Sequence, residues 1–164
     1  VSEEIPARAH ALFPLSQRRE HSFAAGISMG GYGAFKLALR CPDRFAAAAS
    51  LSGVLDLAWW FENPDPWFVP EFRCIFGPDT RSIRGTDDDL FPLADRLGTH
   101  PDRCPQLLQI CGTEDFLYRD NLRFRDHAQT LKLPLTYEEG PGGHGWDYWD
   151  VQIQRVLNWL PIRR

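Results

Sequence analysis

Short apolar runs alternate with amphipathic stretches along most of this chain. Residues 22–27 (Ser-Phe-Ala-Ala-Gly-Ile) are brief and apolar, as a buried strand requires. Met29–Arg40 follows with helical spacing, and Pro42 stops it. The small residues Gly30, Gly31, Gly33 and Ala34 open that helix. The glycines favour helix weakly and suit close packing of backbone against a sheet. Residues 45–51 predict a second strand, 106–111 a third and 135–139 a fourth. Leu117, Phe124, Ala128 and Leu131 mark a helix between the last two strands. Trp149, Ile153, Val156, Leu157 and Leu160 share one face of a closing helix that Pro161 ends. Another helix is expected at the front, over residues 3–12.

Strands that alternate with helices predict an α/β fold, a mostly parallel sheet with helices on both faces. One stretch breaks the rhythm. Residues 54–86 read as irregular, with Trp59, Trp60, Phe61, Trp67, Phe68 and Phe72 crowded among prolines. This segment would either wall a pocket or cover the sheet ends. Thr86 and the acids Asp87, Asp88 and Asp89 then resemble a solvated helix N-terminus.

Composition narrows the function. At 164 residues the chain has one-domain length, with 43% hydrophobic and 24% charged residues. A net charge of −4 gives no electrostatic reason to expect nucleic acid. No run of about 18 apolar residues marks a membrane span. Cys41, Cys74, Cys104 and Cys111 lack the local spacing of a zinc site, so reduced and mostly buried thiols are expected, with no metal and no cofactor.

The candidate chemistry sits in a turn. Gly26-Ile27-Ser28-Met29-Gly30 fits G-x-S-x-G between an expected strand and an expected helix. Such a turn lifts a serine hydroxyl clear of the sheet, and the helix start beneath favours developing negative charge. Serine is a weak nucleophile until a base takes its proton and an acid orients that base. Both partners are expected beyond the carboxyl ends of other strands. Asp115 follows the third strand, with Glu114 as runner-up and Asp120 nearby; His144 follows the fourth in a glycine-flanked loop. The order Ser28, Asp115, His144 is the one α/β-hydrolases use. His10, His21, His100 and His127 read as surface or capping residues, Ser50 and Ser52 as turn residues, and Asp147 and Asp150 as partners of the last helix's dipole. Trp146 reads as a packing anchor rather than a substrate contact.

Three segments together resemble a known family. Gly26-Ile-Ser-Met-Gly-Gly-Tyr-Gly-Ala-Phe-Lys-Leu-Ala-Leu-Arg40 with Ala48-Ala-Ser-Leu-Ser-Gly53, Cys111-Gly-Thr-Glu-Asp-Phe-Leu-Tyr118, and Gly142-Gly-His-Gly-Trp-Asp-Tyr-Trp149 are similar to the tributyrin esterase branch of the esterase D family. The resemblance implies hydrolysis of short-chain carboxylic esters through an acyl-enzyme on Ser28, without a cofactor. Transfer of the acyl group to an alcohol, thioester hydrolysis of the S-formylglutathione type, and a silent module are the alternatives. Members of the fold carry several strands ahead of the elbow, whereas 27 residues precede Ser28. The expectation is therefore a partial α/β-hydrolase fold, the C-terminal part of one domain. Its front strands and one loop of the oxyanion hole would be missing, leaving the Met29 N–H as the other donor. A small-molecule ester partner and a cytoplasmic location are expected, and assembly of identical copies is left open.

Overall fold

The computed structural model describes residues 3–63, 69–77 and 83–162. Four strands, β1 (Phe23–Ile27), β2 (Ala47–Leu51), β3 (Gln106–Gly112) and β4 (Leu135–Gly140), pair in parallel in the order β1-β2-β3-β4. Parallel neighbours need crossovers, and helices supply them. α2 (Met29–Arg40) joins β1 to β2, α6 (Tyr118–Thr130) joins β3 to β4, and α7 (Trp146–Trp159) follows β4. α1 (Glu4–Leu12) precedes β1 and buries none of its residues.

The alternation of side chains along each strand feeds two cores. Ala48 and Leu107 point to the face where Phe35, Leu93, Phe124 and Ala128 of the crossover helices pack. Ala47, Ala49, Leu51, Leu108 and Ile110 point to the other, where Trp149, Val156 and Leu160 cover them. Helices therefore lie on both faces, as the pattern predicted. One position on the closing helix differs: Leu157 is about half exposed, because α7 turns only part of its apolar stripe to the sheet. Two thiols, Cys104 and Cys111, are buried, while Cys41 is half-buried and Cys74 exposed; all four are free.

Residues 54–86 depart from the expected irregularity. They contain α3 (Leu57–Glu62) and α4 (Val69–Phe76), and α5 (Leu90–Gly98) follows. Both new helices are short. α3 starts because buried Asp56 accepts the Trp59 N–H at 3.2 Å, a side-chain cap that satisfies an orphan donor. Phe61 then meets Phe72 and Phe76 across the pair at 4.9 and 5.5 Å between ring centroids. Trp67 and Phe68 lie outside the described residues. The acidic triplet does begin a helix, but only Asp89 caps it; Asp87 pairs with Arg40 and Arg96, and Asp88 with Lys36. Among the described residues, no helix is long and apolar enough to cross a membrane.

Candidate active site

Because all four strands run the same way, their carboxyl ends line up along one rim of the sheet. Each ladder runs slightly past its strand. The Ser28 N–H reaches Leu51 O at 2.9 Å, Ser52 N–H reaches Ile110 O at 2.8 Å, and Thr113 N–H reaches Gly140 O at 2.9 Å. Ser28, Ser52, Asp115 and His144 thus sit just beyond β1, β2, β3 and β4 respectively.

Ser28 has φ 55° and ψ −119°, a left-handed conformation that a non-glycine residue adopts at a cost of about 1–3 kcal/mol. The chain turns there from β1 into α2 within one residue, so the hydroxyl stands at the helix start. As first residue of α2, Met29 has no helical carbonyl for its N–H, which leaves that donor beside Ser28.

The loop after β4 bends back over β3. Its hold is the Glu114 N–H donating to Gly142 O at 3.0 Å. A Cβ at Gly112 would sit 2.0 Å from that same oxygen, so only glycine lets the two loops meet. This approach delivers His144 to Ser28. His144 Nε2 lies 3.0 Å from Ser28 Oγ, and Nδ1 lies 2.9 and 3.1 Å from the two oxygens of Asp115. The structure brings together the three residues expected from sequence, in one hydrogen-bonded line. Asp115 is the carboxylate in it: Glu114 is exposed, and Asp120 faces Trp60 and Arg123 instead.

Burial works to raise the Asp115 carboxyl, which is 5% exposed, but hydrogen bonds from His144, Ser52 and the Leu117 N–H outweigh it and hold the group below its ordinary value. Asp115 is therefore ionised around neutrality, able to accept a hydrogen bond from Nδ1–H and fix the tautomer that leaves Nε2 free for Ser28.

Two neighbours were not read from sequence. Ser52, taken there as a turn residue, has φ 48° and helps to hold the Asp115 carboxyl down, while its Oγ accepts the Trp149 indole N–H at 3.1 Å. Its place one step beyond β2 was the available signal. Trp149, assigned only to an apolar helix face, also stands edge-on to His144 at 4.8 Å, and Phe116 covers the ring's other surroundings at 4.6 Å. Trp146 is no packing anchor: 69% of it is exposed, because it lies on the solvent side of the first turn of α7, whose Tyr148 and Trp149 are buried. Ser50 is fully buried and packs beside Gly31 and Gly53.

The other histidines lie away from this line. His10 and His21 contact Ser16, His127 pairs with Asp95 at 2.8 Å, and exposed His100 precedes a 3-10 turn. Asp147 and Asp150 are exposed on the first turns of α7.

Beside Ser28 and Met29 opens a pocket of about 60 Å³, walled by Val54, Trp60, Phe72, Phe116 and Leu117. Part of the aromatic stretch thus lines a cavity at the serine, while Phe61 stays in the core.

A parallel α/β sheet with Ser, His and Asp aligned along its carboxyl rim has the architecture of the α/β serine hydrolases. The chain belongs to the esterase family described as "Putative esterase", whose model matches residues 1–160. It is 31% identical to an acetyl esterase of Caldicellulosiruptor saccharolyticus, over 98% of this chain and 62% of that protein. Among solved structures it is similar to the substrate-bound fluorophosphonate-binding serine hydrolase F of Staphylococcus aureus, with 38% identity and a TM-score of 0.85 over 98% of this chain and 62% of the other. An S-formylglutathione hydrolase of the same organism gives 39% identity and a TM-score of 0.84, over 96% of this chain and 61% of the other. The chain therefore spans about three-fifths of the length of these relatives.

Proposed function

We propose that this chain carries the catalytic machinery of a serine carboxylesterase of the tributyrin esterase branch, acting on short-chain acyl esters. The observation that carries this reading is the unbroken line Ser28–His144–Asp115, with a strained serine opening onto a small apolar pocket. A space of about 60 Å³ with apolar walls suits a small acyl group rather than a long chain.

In the first step, Ser28 Oγ forms a bond to the ester carbonyl carbon while its proton passes to His144 Nε2. Asp115 stabilises the imidazolium, and the Met29 N–H donates to the oxyanion. The alkoxide leaves with the proton from His144, and the acyl group stays on Ser28. Water then gives a proton to His144 and attacks the acyl carbon, releasing the acid and restoring the serine. Thioester hydrolysis is the second reading, favoured by the 39% identity to an S-formylglutathione hydrolase. It uses the same steps with a thiolate leaving group.

The test is covalent. The 164-residue chain incubated with a fluorophosphonate should gain one adduct, placed at Ser28 by mass spectrometry, and Ser28→Ala should remove it. An adduct that persists in the variant would overturn the assignment.

A further inference from the structure

Behind the pocket lies a group of charged side chains that acyl transfer does not use. Trp60 presents its ring to the cavity beside Ser28 and donates its indole N–H to Asp120 Oδ2. Asp120 is 2% exposed on the first turn of α6, and its Oδ1 accepts from Arg123 at 2.7 Å. Arg123 also donates through Nε to Asp56, the residue that caps α3, and its guanidinium lies 5.0 Å from the Trp59 ring. One guanidinium therefore ties two buried carboxylates together, and both carboxylates hold α3, the helix that carries Trp60.

Burying carboxylates costs several kcal/mol per ion unless they are well paired, and an apolar contact behind a pocket wall would avoid that cost. What the carboxylate adds is direction, since an indole with its N–H anchored has one ring orientation and an unanchored one has several. We propose that Asp120 is a positioning residue that sets acyl specificity, fixing Trp60 from behind so that the pocket admits only short acyl groups. This rests on the acyl-enzyme reading above.

The same geometry makes the wall responsive to protons. Burial pushes the Asp120 carboxyl up to about 6, with Asp56 adding to the rise while Trp60 and Arg123 oppose it. The titratable and charged groups that face it are Arg123 on its own helix, Asp56 from α3 and Cys111 from β3, a buried thiol that Asp120 in turn pushes up. Protonation replaces a charge-assisted bond to Trp60 with a weaker neutral one. Acyl selectivity, as distinct from rate, therefore relaxes as pH falls through about 6. A change in the reactivity of Ser28 itself affects reagents of every chain length alike and cancels in their ratio.

The experiment measures second-order rate constants for Ser28 labelling by methylphosphonyl and butylphosphonyl fluorides, whose P-alkyl group occupies the acyl pocket. Wild type, Asp120→Ala and Asp120→Asn are compared across a pH series. The methyl-to-butyl ratio should fall roughly tenfold in Asp120→Ala, the low end of what a pocket discriminates for one methylene. Asp120→Asn keeps a neutral acceptor for the indole, as the protonated carboxyl does, so its ratio should lie between that of Asp120→Ala and that of the ionised wild type and be flat with pH. An unchanged ratio in Asp120→Ala, or a ratio in Asp120→Asn that still titrates as in wild type, overturns the inference while leaving the esterase reading intact. If Asp120→Ala does not fold, the Asp120→Asn profile decides alone. A folded wild-type chain that takes no label at Ser28 overturns both.

Discussion

Gly26 and Gly30 flank Ser28 symmetrically in the motif, yet the structure asks different things of them. A Cβ at Gly26 would lie 2.2 Å from the carbonyl oxygen of Gly30, and backbone there cannot yield without undoing the turn that strains Ser28. A Cβ at Gly30 meets nothing within 4 Å among the described residues. So only the first glycine is sterically required, and the second opens the helix toward the site. Gly26→Ala should cost about 3 kcal/mol, the upper end of overpacking, and abolish fluorophosphonate labelling. Gly30→Ala should keep labelling and gain about 0.5 kcal/mol from the better helix former. Urea melts with labelling of both variants check the pair, and equal behaviour would contradict this account of the motif. The Ser28 neighbourhood also shows what a single residue can hide. Ser52 sits on the same rim as Asp115, but its role depends on a neighbouring strand, which no local pattern reveals.

At the scale of elements, the strands and the helices between them were legible because a two-residue or 3.6-residue apolar period survives in sequence. All four strands lie within two residues of the expected positions. Ser28, Asp115 and His144 were legible for a related reason: parallel strands put their carboxyl ends on one rim, so strand ends followed by glycine-rich turns point to the site. α3 and α4 were not legible. They span 6 and 8 residues, too short to show a period, and α3 depends on the Asp56 cap and on aromatic contacts made across the chain. Asp89 gives the reverse case, an acid read as part of a solvated helix start that is 2% exposed. Its two oxygens accept from Phe91 N and Gly85 N, each at 3.1 Å, so it closes the loop as well as capping α5. Asp89→Ala should cost about 1–2 kcal/mol. Labelling of Ser28 should be unaffected, since the bonds that Asp89 accepts tie the Gly85 turn to the start of α5 and involve none of Ser28, His144 and Asp115. A stability change within about 0.5 kcal/mol, the usual range for surface sites, would show that the cap is dispensable.

Across the whole molecule, two buried carboxylates pull the pH dependence of stability in opposite directions. Asp115 is held below its ordinary value of 3.8, so its contribution is present above that pH and is lost as pH falls. Asp120 is the reverse. The folded chain keeps its proton up to about 6, whereas an unfolded chain releases it near 3.8. Between those values the native state binds more protons, so this contribution is whole in acid and is lost as pH rises through about 6. The difference between the two values corresponds to roughly 2 kcal/mol lost between about pH 4.5 and 7.5. Asp120→Asn removes that slope and leaves the one from Asp115. Whatever the variant loses by weakening the Arg123 pair is constant over this range, because a guanidinium stays charged throughout. Its stability relative to wild type should therefore improve by roughly 2 kcal/mol from about pH 4.5 to 7.5, read from urea melts at the two values. Parallel stability curves would mean that Asp120 ionises alike in folded and unfolded chains, and would remove the proton dependence argued for the acyl pocket. The same carboxylate that orients Trp60 would then do so without sensing pH.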